Sequence, residues 1–193
     1  MRLRGQAVAD RPWLIAALVL AGFVHIASVL AMPRLAQDDA FARLASAGPL
    51  NEFHALPRPE PGAELVPFND PAFSAGVCLF DLSEGPLHVR ARLISDSFVS
   101  LSFHSRHGTV FYALTDKATT RRAFDLFVAT ADQLAAMEAK DTEEEPPQEL
   151  RVLASGKKGF VLARALAPQP SAYEDAAAQI AEMNCSIEPL EGR

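Results

Sequence analysis

The sequence contains little of what most catalytic and metal-binding sites need. Its only cysteines, Cys78 and Cys185, form no CxxC or Cys/His spacing, which excludes the zinc and redox motifs built on close cysteine pairs. No GxSxG segment occurs, so a nucleophile elbow is excluded. The GKKG segment at 156–159 lacks the spacing of a phosphate-binding loop. We therefore predict no catalytic, cofactor or metal motif.

Positive charge is scarce after the N-terminus. The chain has 18 Lys and Arg and 24 Asp and Glu residues, of which residues 1–34 hold four Arg and one Asp. The remainder keeps 14 basic and 23 acidic residues, a net charge of −9. Such a balance repels polyanions, so we exclude nucleic acid and anionic lipid headgroups as its partners.

One long stretch lacks charge altogether. The twenty residues from Trp13 to Met32 contain no charged side chain, and a helix of that length at ~1.5 Å per residue spans a ~30 Å hydrocarbon core. The sequence therefore predicts a transmembrane signal anchor at 13–32, which enters the lipid bilayer. A cleaved signal peptide is the alternative, because Val29-Leu30-Ala31 loosely fits a cleavage pattern, although the apolar run exceeds the usual length of about 7–15 residues. A single span argues against a transporter or channel built by this chain alone.

The charges before the apolar run predict its orientation. Arg2, Arg4 and Arg11 are opposed only by Asp10, and positive charge is retained on the cytoplasmic side. The N-terminus, residues 1–12, is therefore expected inside and everything after Pro33 outside. Because an extracytoplasmic environment is oxidising, an even cysteine count favours one disulfide between Cys78 and Cys185. Two buried free thiols are the alternative.

The rest of the chain is predicted to form one domain behind a connector. Residues 33–70 combine a short juxtamembrane helix at 38–47 with a proline-rich segment, because five prolines within fifteen residues hold the chain extended. Residues 71–188 form the extracytoplasmic β-domain with a C-terminal helix, and 189–193 form a tail.

Within 71–188 the apolar period changes to two, which is typical of strands. The predicted strands are short, rich in β-branched and aromatic residues, and separated by turn signals: 77–82, 87–91, 98–105, 110–115, 124–130, 149–154 and 159–166. We expect the first two to form a hairpin around the turn 83–86. The fold class is mainly β with flanking helices, arranged as a closed antiparallel barrel or a sandwich.

Two capping boxes predict the flanking helices. Thr130 with Gln133 begins a helix of about ten residues. Ser171 with Glu174 begins a second helix that continues through Met183, with its inward face formed by Tyr173, Ala177 and Ile180.

The candidate functional residues cluster loosely around the third predicted strand. His104 and His107, with His88, could bind a metal only if the chain turns at Ser105, and an exposed hairpin tip is the alternative. Ser100 or Ser102 beside His104 allows serine hydrolysis, although any strand with a solvent-facing side shows such a pair. The candidate polar site is Asp81, Ser102, His104 and Tyr112.

Two further pairs have both a chemical and an ordinary interpretation. Asp81 and Glu84 could form a glycosidase carboxylate pair, but acidic residues are common in turns. Arg121 and Arg122 could bind an anion, but arginines in a loop are usually surface charge.

Several segments are similar to one known family: VHIA at 24–27, the run from Asp70-Pro71 to VCLFDL at 77–82 with GPL at 85–87, FVSLS at 98–102 with 108–112, and GFVLAR at 159–164. On these residues the chain resembles the domain-of-unknown-function family twelve-fifty-four, in its short membrane-anchored alphaproteobacterial form. That family usually carries an aromatic residue in place of His104 and an acid in place of Ser105.

The resemblance implies a β-barrel or jelly-roll-like domain in the periplasm, held at the bacterial inner membrane. It also implies a partner, a second membrane-anchored jelly-roll protein of unknown function, and it supplies no activity. With no coupled acid, base and nucleophile in the sequence, we expect a non-catalytic binding or assembly module of the cell envelope. An envelope hydrolase or carbohydrate-active protein with an unrecognised pocket is the alternative.

Overall fold

The structure is a computed structural model that describes residues 11–35, 39–60, 69–119, 121–141 and 148–190. The chain divides into two compact units, Met1–Gln37 and Asp38–Arg193. The first contains helix α1, Arg11–Leu35. Its segment Pro12–Met32 is long and apolar enough to cross a membrane, a property that anchors and signal sequences share. Large apolar side chains along it, such as Leu18 and Phe23, are exposed.

The second unit contains nine strands and three α-helices among the described residues. The strands are β1 (Phe53–Ala55), β2 (Phe73–Asp81), β3 (Leu87–Arg92), β4 (Val99–Ser105), β5 (Val110–Thr115), β6 (Ala123–Ala129), β7 (Leu150–Leu153), β8 (Lys158–Leu166) and β9 (Asn184–Ile187). The helices are α2 (Ala40–Leu44), α3 (Ala131–Glu138) and α4 (Tyr173–Ala181). Mainly β structure with flanking helices is thereby confirmed.

The strands form two separate sheets. Sheet I has the order β1-β2-β8-β4-β5 with every neighbouring pair antiparallel. Sheet II has the order β7-β6-β3-β9, in which β6 and β7 are parallel and the other pairs antiparallel. In the described part of the chain the strands do not close into a barrel, so the barrel alternative of the predicted fold was wrong. The predicted hairpin of 77–82 and 87–91 was also wrong, because the turn after β2 carries the chain from sheet I to sheet II.

Residues of both sheets build one core. Alternate side chains of β2, β4 and β8 point toward those of β3 and β6, and the cluster includes Phe80, Phe103 and Phe124, each at most 2% exposed. The other face of sheet I is also apolar, with Val77 and Leu79 on β2 and Phe160 and Leu162 on β8. Leu44 of α2 and Leu56 cover that face. Sheet I is thus buried on both sides at its centre.

The two cysteines form a disulfide that joins the sheets. Cys78 lies on β2 of sheet I and Cys185 on β9 of sheet II, with 6.6 Å between their Cα atoms and 107 positions between them in sequence. Both residues are buried in the shared core. The bond therefore links the last strand of the chain to the centre of the first sheet.

The helices follow the sequence in part. Thr130 and Gln133 form the predicted capping box of α3, with the side chain of each bonded to the backbone of the other. The second predicted capping box was wrong, because a 3₁₀ turn at Pro170–Ala172 precedes α4 and no side chain caps the helix. The buried face of α4 was predicted in part: Ile180 is buried and Tyr173 packs against the core, but Ala176 and Gln179 complete the buried face where Ala177 was predicted.

Gln179 is a fully buried polar side chain that holds the segment after β3. Its Oε1 accepts from the N–H of Ile94 at 2.8 Å and its Nε2 donates to the carbonyl of Arg92 at 2.7 Å. A glutamine matches one donor and one acceptor of the backbone at once. This contact fixes the path of the chain between the two sheets.

We expect loss of the disulfide to lower the free energy of unfolding. For a ring of about a hundred residues, loop entropy predicts a loss of about 4–5 kcal/mol in the Cys78→Ala/Cys185→Ala variant. Urea unfolding measures it, with the single variant Cys185→Ala as the control, since it already lacks the bond. Two titratable thiols in unreduced, denatured wild-type protein would contradict the bond.

We expect Gln179→Leu to destabilise the fold by about 1–3 kcal/mol, because the backbone groups of Arg92 and Ile94 lose the partner that this buried side chain provides. Thermal and urea unfolding measure the loss. Ala178→Leu places the same side chain at an exposed position of the same helix and should change stability little. Equal stability of the two variants would show that water replaces the glutamine contacts.

Candidate functional site

Two residues singled out from the sequence, Ser102 and His104, meet on the outer face of sheet I. They are two positions apart on β4, so their side chains share one face. Ser102 Oγ lies 2.9 Å from His104 Nε2, and His104 Nδ1 lies 3.1 Å from the carbonyl oxygen of Gly108. A carbonyl only accepts, so Nδ1 carries the hydrogen, and in the neutral ring Nε2 accepts from the Ser102 hydroxyl. The hydrogen bonds run from the serine hydroxyl to Nε2 and from Nδ1 to the carbonyl, as they do where a serine lies beside a general base.

The surroundings hold this imidazole in place and keep it uncharged. The ring stacks on Phe160 with 4.6 Å between centroids and 6° between planes. Burial lowers the pKa of His104 below its ordinary value, and although the bond to Gly108 raises it, the positive charge of Arg164 lowers it further. The net pKa is lowered, so the imidazole is neutral at neutral pH.

The other two residues of the predicted polar site lie elsewhere. Asp81 ends β2, accepts from the hydroxyl of Ser83 at 2.6 Å and pairs with Lys158 at 3.0 Å. The Ser83 bond lowers the pKa of Asp81 most; burial raises it and Lys158 lowers it, with a net lowering. Tyr112 pairs in register with the inward-pointing Phe103 and packs against the core. The sheet therefore separates Tyr112 from His104. Asp81 stabilises the turn after β2 through its bonds from Ser83.

The three histidines considered as metal ligands are not brought together. His88 lies on β3 of sheet II, His104 on β4 of sheet I, and His107 is exposed in the turn after β4. Within the described ranges, no group of three or more His, Cys, Asp and Glu side chains is placed to hold a metal ion.

His88 instead lies between two carboxylates that the sequence did not reveal. Its Nδ1 lies 2.5 Å from Glu188 Oε1 and its Nε2 lies 2.6 Å from Asp125 Oδ1, while Phe127 stacks on the ring at 4.1 Å. Each ring nitrogen therefore lies within hydrogen-bond distance of one carboxylate oxygen. The cluster ties the chain after β9 to β3 and β6. Its members are far apart in sequence, which is why no spacing rule could identify it.

A cleft of about 370 Å³ opens beside β5, β6 and β7, at the edge where the two sheets part. Its apolar lining includes Leu114, Phe124 and Leu126, of which the last two belong to the core. Its polar lining consists of Thr119, Arg121, Asp125 and Gln148. We call this site the edge cleft.

The edge cleft distinguishes the two arginines considered as an anion clamp. Arg121 lines it and donates from Nη1 to Gln148 Oε1 at 2.5 Å, and among the described residues no carboxylate pairs with Arg121. Arg122 instead pairs with Asp96 at 2.6 Å and with the carbonyl of Ser95. Of the two, Arg121 alone presents its charge to the cleft.

An ion pair between a buried carboxylate and an exposed arginine attaches the segment before β1 to the tip of the β4–β5 hairpin. The Asp39 side chain, 4% exposed, accepts from Arg106 Nε at 2.6 Å and from the N–H of Ala42, which caps α2. Burial raises the pKa of Asp39, but the bonds from Ala42 and Arg106 lower it by more, so the net pKa is below the ordinary value.

Comparison with known proteins supports the fold and gives no function. No family model and no curated protein matches the chain, so the family resemblance stays a prediction. The crystal structure of the VPA0106 protein from Vibrio parahaemolyticus is similar at a TM-score of 0.53 and 13% identity, over 80% of this chain and 38% of that one. The chain thus spans well under half of that protein. An uncharacterised protein from Burkholderia cenocepacia has a TM-score of 0.47 and 12% identity, over 98% of this chain and 53% of its own.

We expect Arg106→Gln to lower the free energy of unfolding by about 1.5–3 kcal/mol at neutral pH, because it removes a charged hydrogen bond from a buried carboxylate. Asp39 has a lowered folded-state pKa, so its contribution is complete above the unfolded value near 3.8 and is lost as the pH falls through the folded value. Urea unfolding of both proteins between pH 7 and pH 2 measures it. A difference that stays constant over this range would contradict the assignment.

Proposed function

We propose that the protein is a membrane-tethered binding module of the bacterial cell envelope, and that the edge cleft holds a small amphiphilic ligand. The observation that carries this proposal is the cleft itself. Binding sites for small molecules are concave and mainly apolar, with a few polar groups that orient the ligand. Leu114, Ala118 and Leu150 provide the solvent-accessible apolar part of the lining, and Arg121 with Gln148 provides the polar rim.

The size and charge of the cleft indicate the class of ligand. At roughly 30 Å³ for each non-hydrogen atom, its volume holds about a dozen such atoms. Asp125 is hydrogen-bonded to His88, whereas Arg121 pairs with no carboxylate among the described residues, so its guanidinium is available to an anionic or hydrogen-bond-accepting group. A medium-chain carboxylate combines the required length and charge.

The apolar helix and the disulfide support the proposed position of the module. The exposed apolar helix α1 and the three arginines before or at its start support a single-pass anchor with a cytoplasmic N-terminus. A disulfide buried between the two sheets supports an oxidising compartment for the β-domain, as the periplasm is. A second membrane-anchored jelly-roll protein stays the predicted partner, and failure of the two to co-purify from gently solubilised membranes would contradict it.

Photocrosslinking tests the ligand proposal. Membranes that contain the full chain are exposed to a diazirine derivative of decanoate, and the labelled peptides are identified by mass spectrometry. We expect labelling in the peptides that contain residues 114–126 and 148–150, with loss of the label when excess decanoate competes.

Two matched variants locate the ligand. Ala118→Phe fills the cleft, in which Ala118 is a lining residue, and should abolish the specific label. Ala113→Phe adds the same side chain at an exposed position on β5 outside the lining and should retain it. Label confined to residues 12–32, or equal label in both variants, would contradict the proposal.

A further inference from the structure

We propose that Ser102 is an acyl-accepting nucleophile with His104 as its general base, acting on small carboxylic esters. This activity goes beyond ligand binding in the edge cleft, and the residues of the two sites do not overlap. With this activity, the expected non-catalytic role applies to the edge cleft and not to the whole β-domain.

The argument begins with the direction of the hydrogen bonds. A serine with a purely structural role would give its hydrogen to a backbone carbonyl, and Leu162 offers one at 3.3 Å. The contact to His104 Nε2 is shorter, at 2.9 Å. Since Nδ1 donates to Gly108, Nε2 has its lone pair directed at the serine hydroxyl. In a catalytic triad a third group orients the base. Here the backbone carbonyl of Gly108 has that role.

The base is held in the geometry and the charge state that proton abstraction needs. Stacking on Phe160 restricts rotation of the imidazole, and the lowered pKa of His104 keeps it unprotonated at neutral pH. Gly108 has a φ of 90°, in the left-handed region that favours glycine. The turn that presents its carbonyl therefore depends on that residue.

A cation and an opening complete the site. Arg164 lies on β8, two positions beyond Leu162 and opposite Ser100 of β4, on the same face of sheet I, and its charge acts on His104. This guanidinium provides positive charge for the oxyanion that develops on the ester. Ala113, the partner of Ser102 on β5, is exposed, so the site is open toward that edge.

The reaction needs only the ester and water. Ser102 Oγ forms a bond to the ester carbonyl carbon while Nε2 takes its proton. The carbon–oxygen bond of the ester then breaks, and the departing alkoxide receives the proton as an alcohol. Water attacks the acyl-serine in the same way, which releases a carboxylic acid and restores Ser102.

A fluorophosphonate probe tests the nucleophile directly on the full chain in detergent micelles. Attack by Oγ forms a phosphorus–oxygen bond and releases fluoride, and mass spectrometry of the digest locates the adduct. We expect the adduct on Ser102 in the wild-type protein, with a labelling rate that rises with pH through a pKa below 6.5 and is constant above it. Absence of an adduct on Ser102 would overturn the proposal, whatever the stability of any variant.

Variants separate catalysis from chance reactivity. His104→Gln should lower the labelling rate and the hydrolysis of p-nitrophenyl acetate by about 100-fold or more, as expected for loss of a general base. Ser100→Ala, on the same face of the same strand, should label and hydrolyse like the wild type. An unchanged rate in His104→Gln with retained circular dichroism, or equal adducts on Ser100 and Ser102, would show that Ser102 is not activated.

Discussion

The structure depends on one constraint: β2 and β8 are apolar on both faces. A sheet with such a centre must be covered twice to remove those side chains from water. Sheet II covers one face, and the chain before β2, through Leu44 and Leu56, covers the other. This second cover places α2 against the β4–β5 hairpin, where Asp39 meets Arg106. Residues 39–56, within the segment predicted as a connector, therefore pack against the β-domain.

The sequence predicted what depends on neighbouring residues. The capping box of Thr130 and Gln133 could be recognised because the two residues lie three positions apart. The sequence could not show to which of the two sheets a strand belongs. The turn after β2 has ordinary hairpin composition, yet the next strand pairs with β6 and β9. Strand β9 is four residues long, too short for a period of two to be detected, and the burial of Gln179 contradicts any rule that places polar residues outside.

In the candidate sites too, the sequence predicts the relations between neighbouring residues but not those that arise only in the folded chain. The spacing of Ser102 and His104 predicts a shared face, but the tautomer of the imidazole is set by the carbonyl of Gly108, which reaches it only through the turn that closes the hairpin. The edge cleft combines residues from β5, β6 and β7 with Arg121, and no motif joins them. Charge composition alone could not distinguish Arg121 from Arg122, because the difference arises from Asp96, which pairs with one of them.

The place of Cys185 near the end of the chain has a consequence for biogenesis. Strand β9 forms an edge of sheet II and supplies the sulfur that bonds to Cys78. Until β9 has been synthesised, Cys78 remains a lone thiol and sheet II lacks its outer strand. A chain truncated before β9 would therefore carry an unpaired cysteine, and one free sulfhydryl distinguishes an unfinished molecule from a complete one.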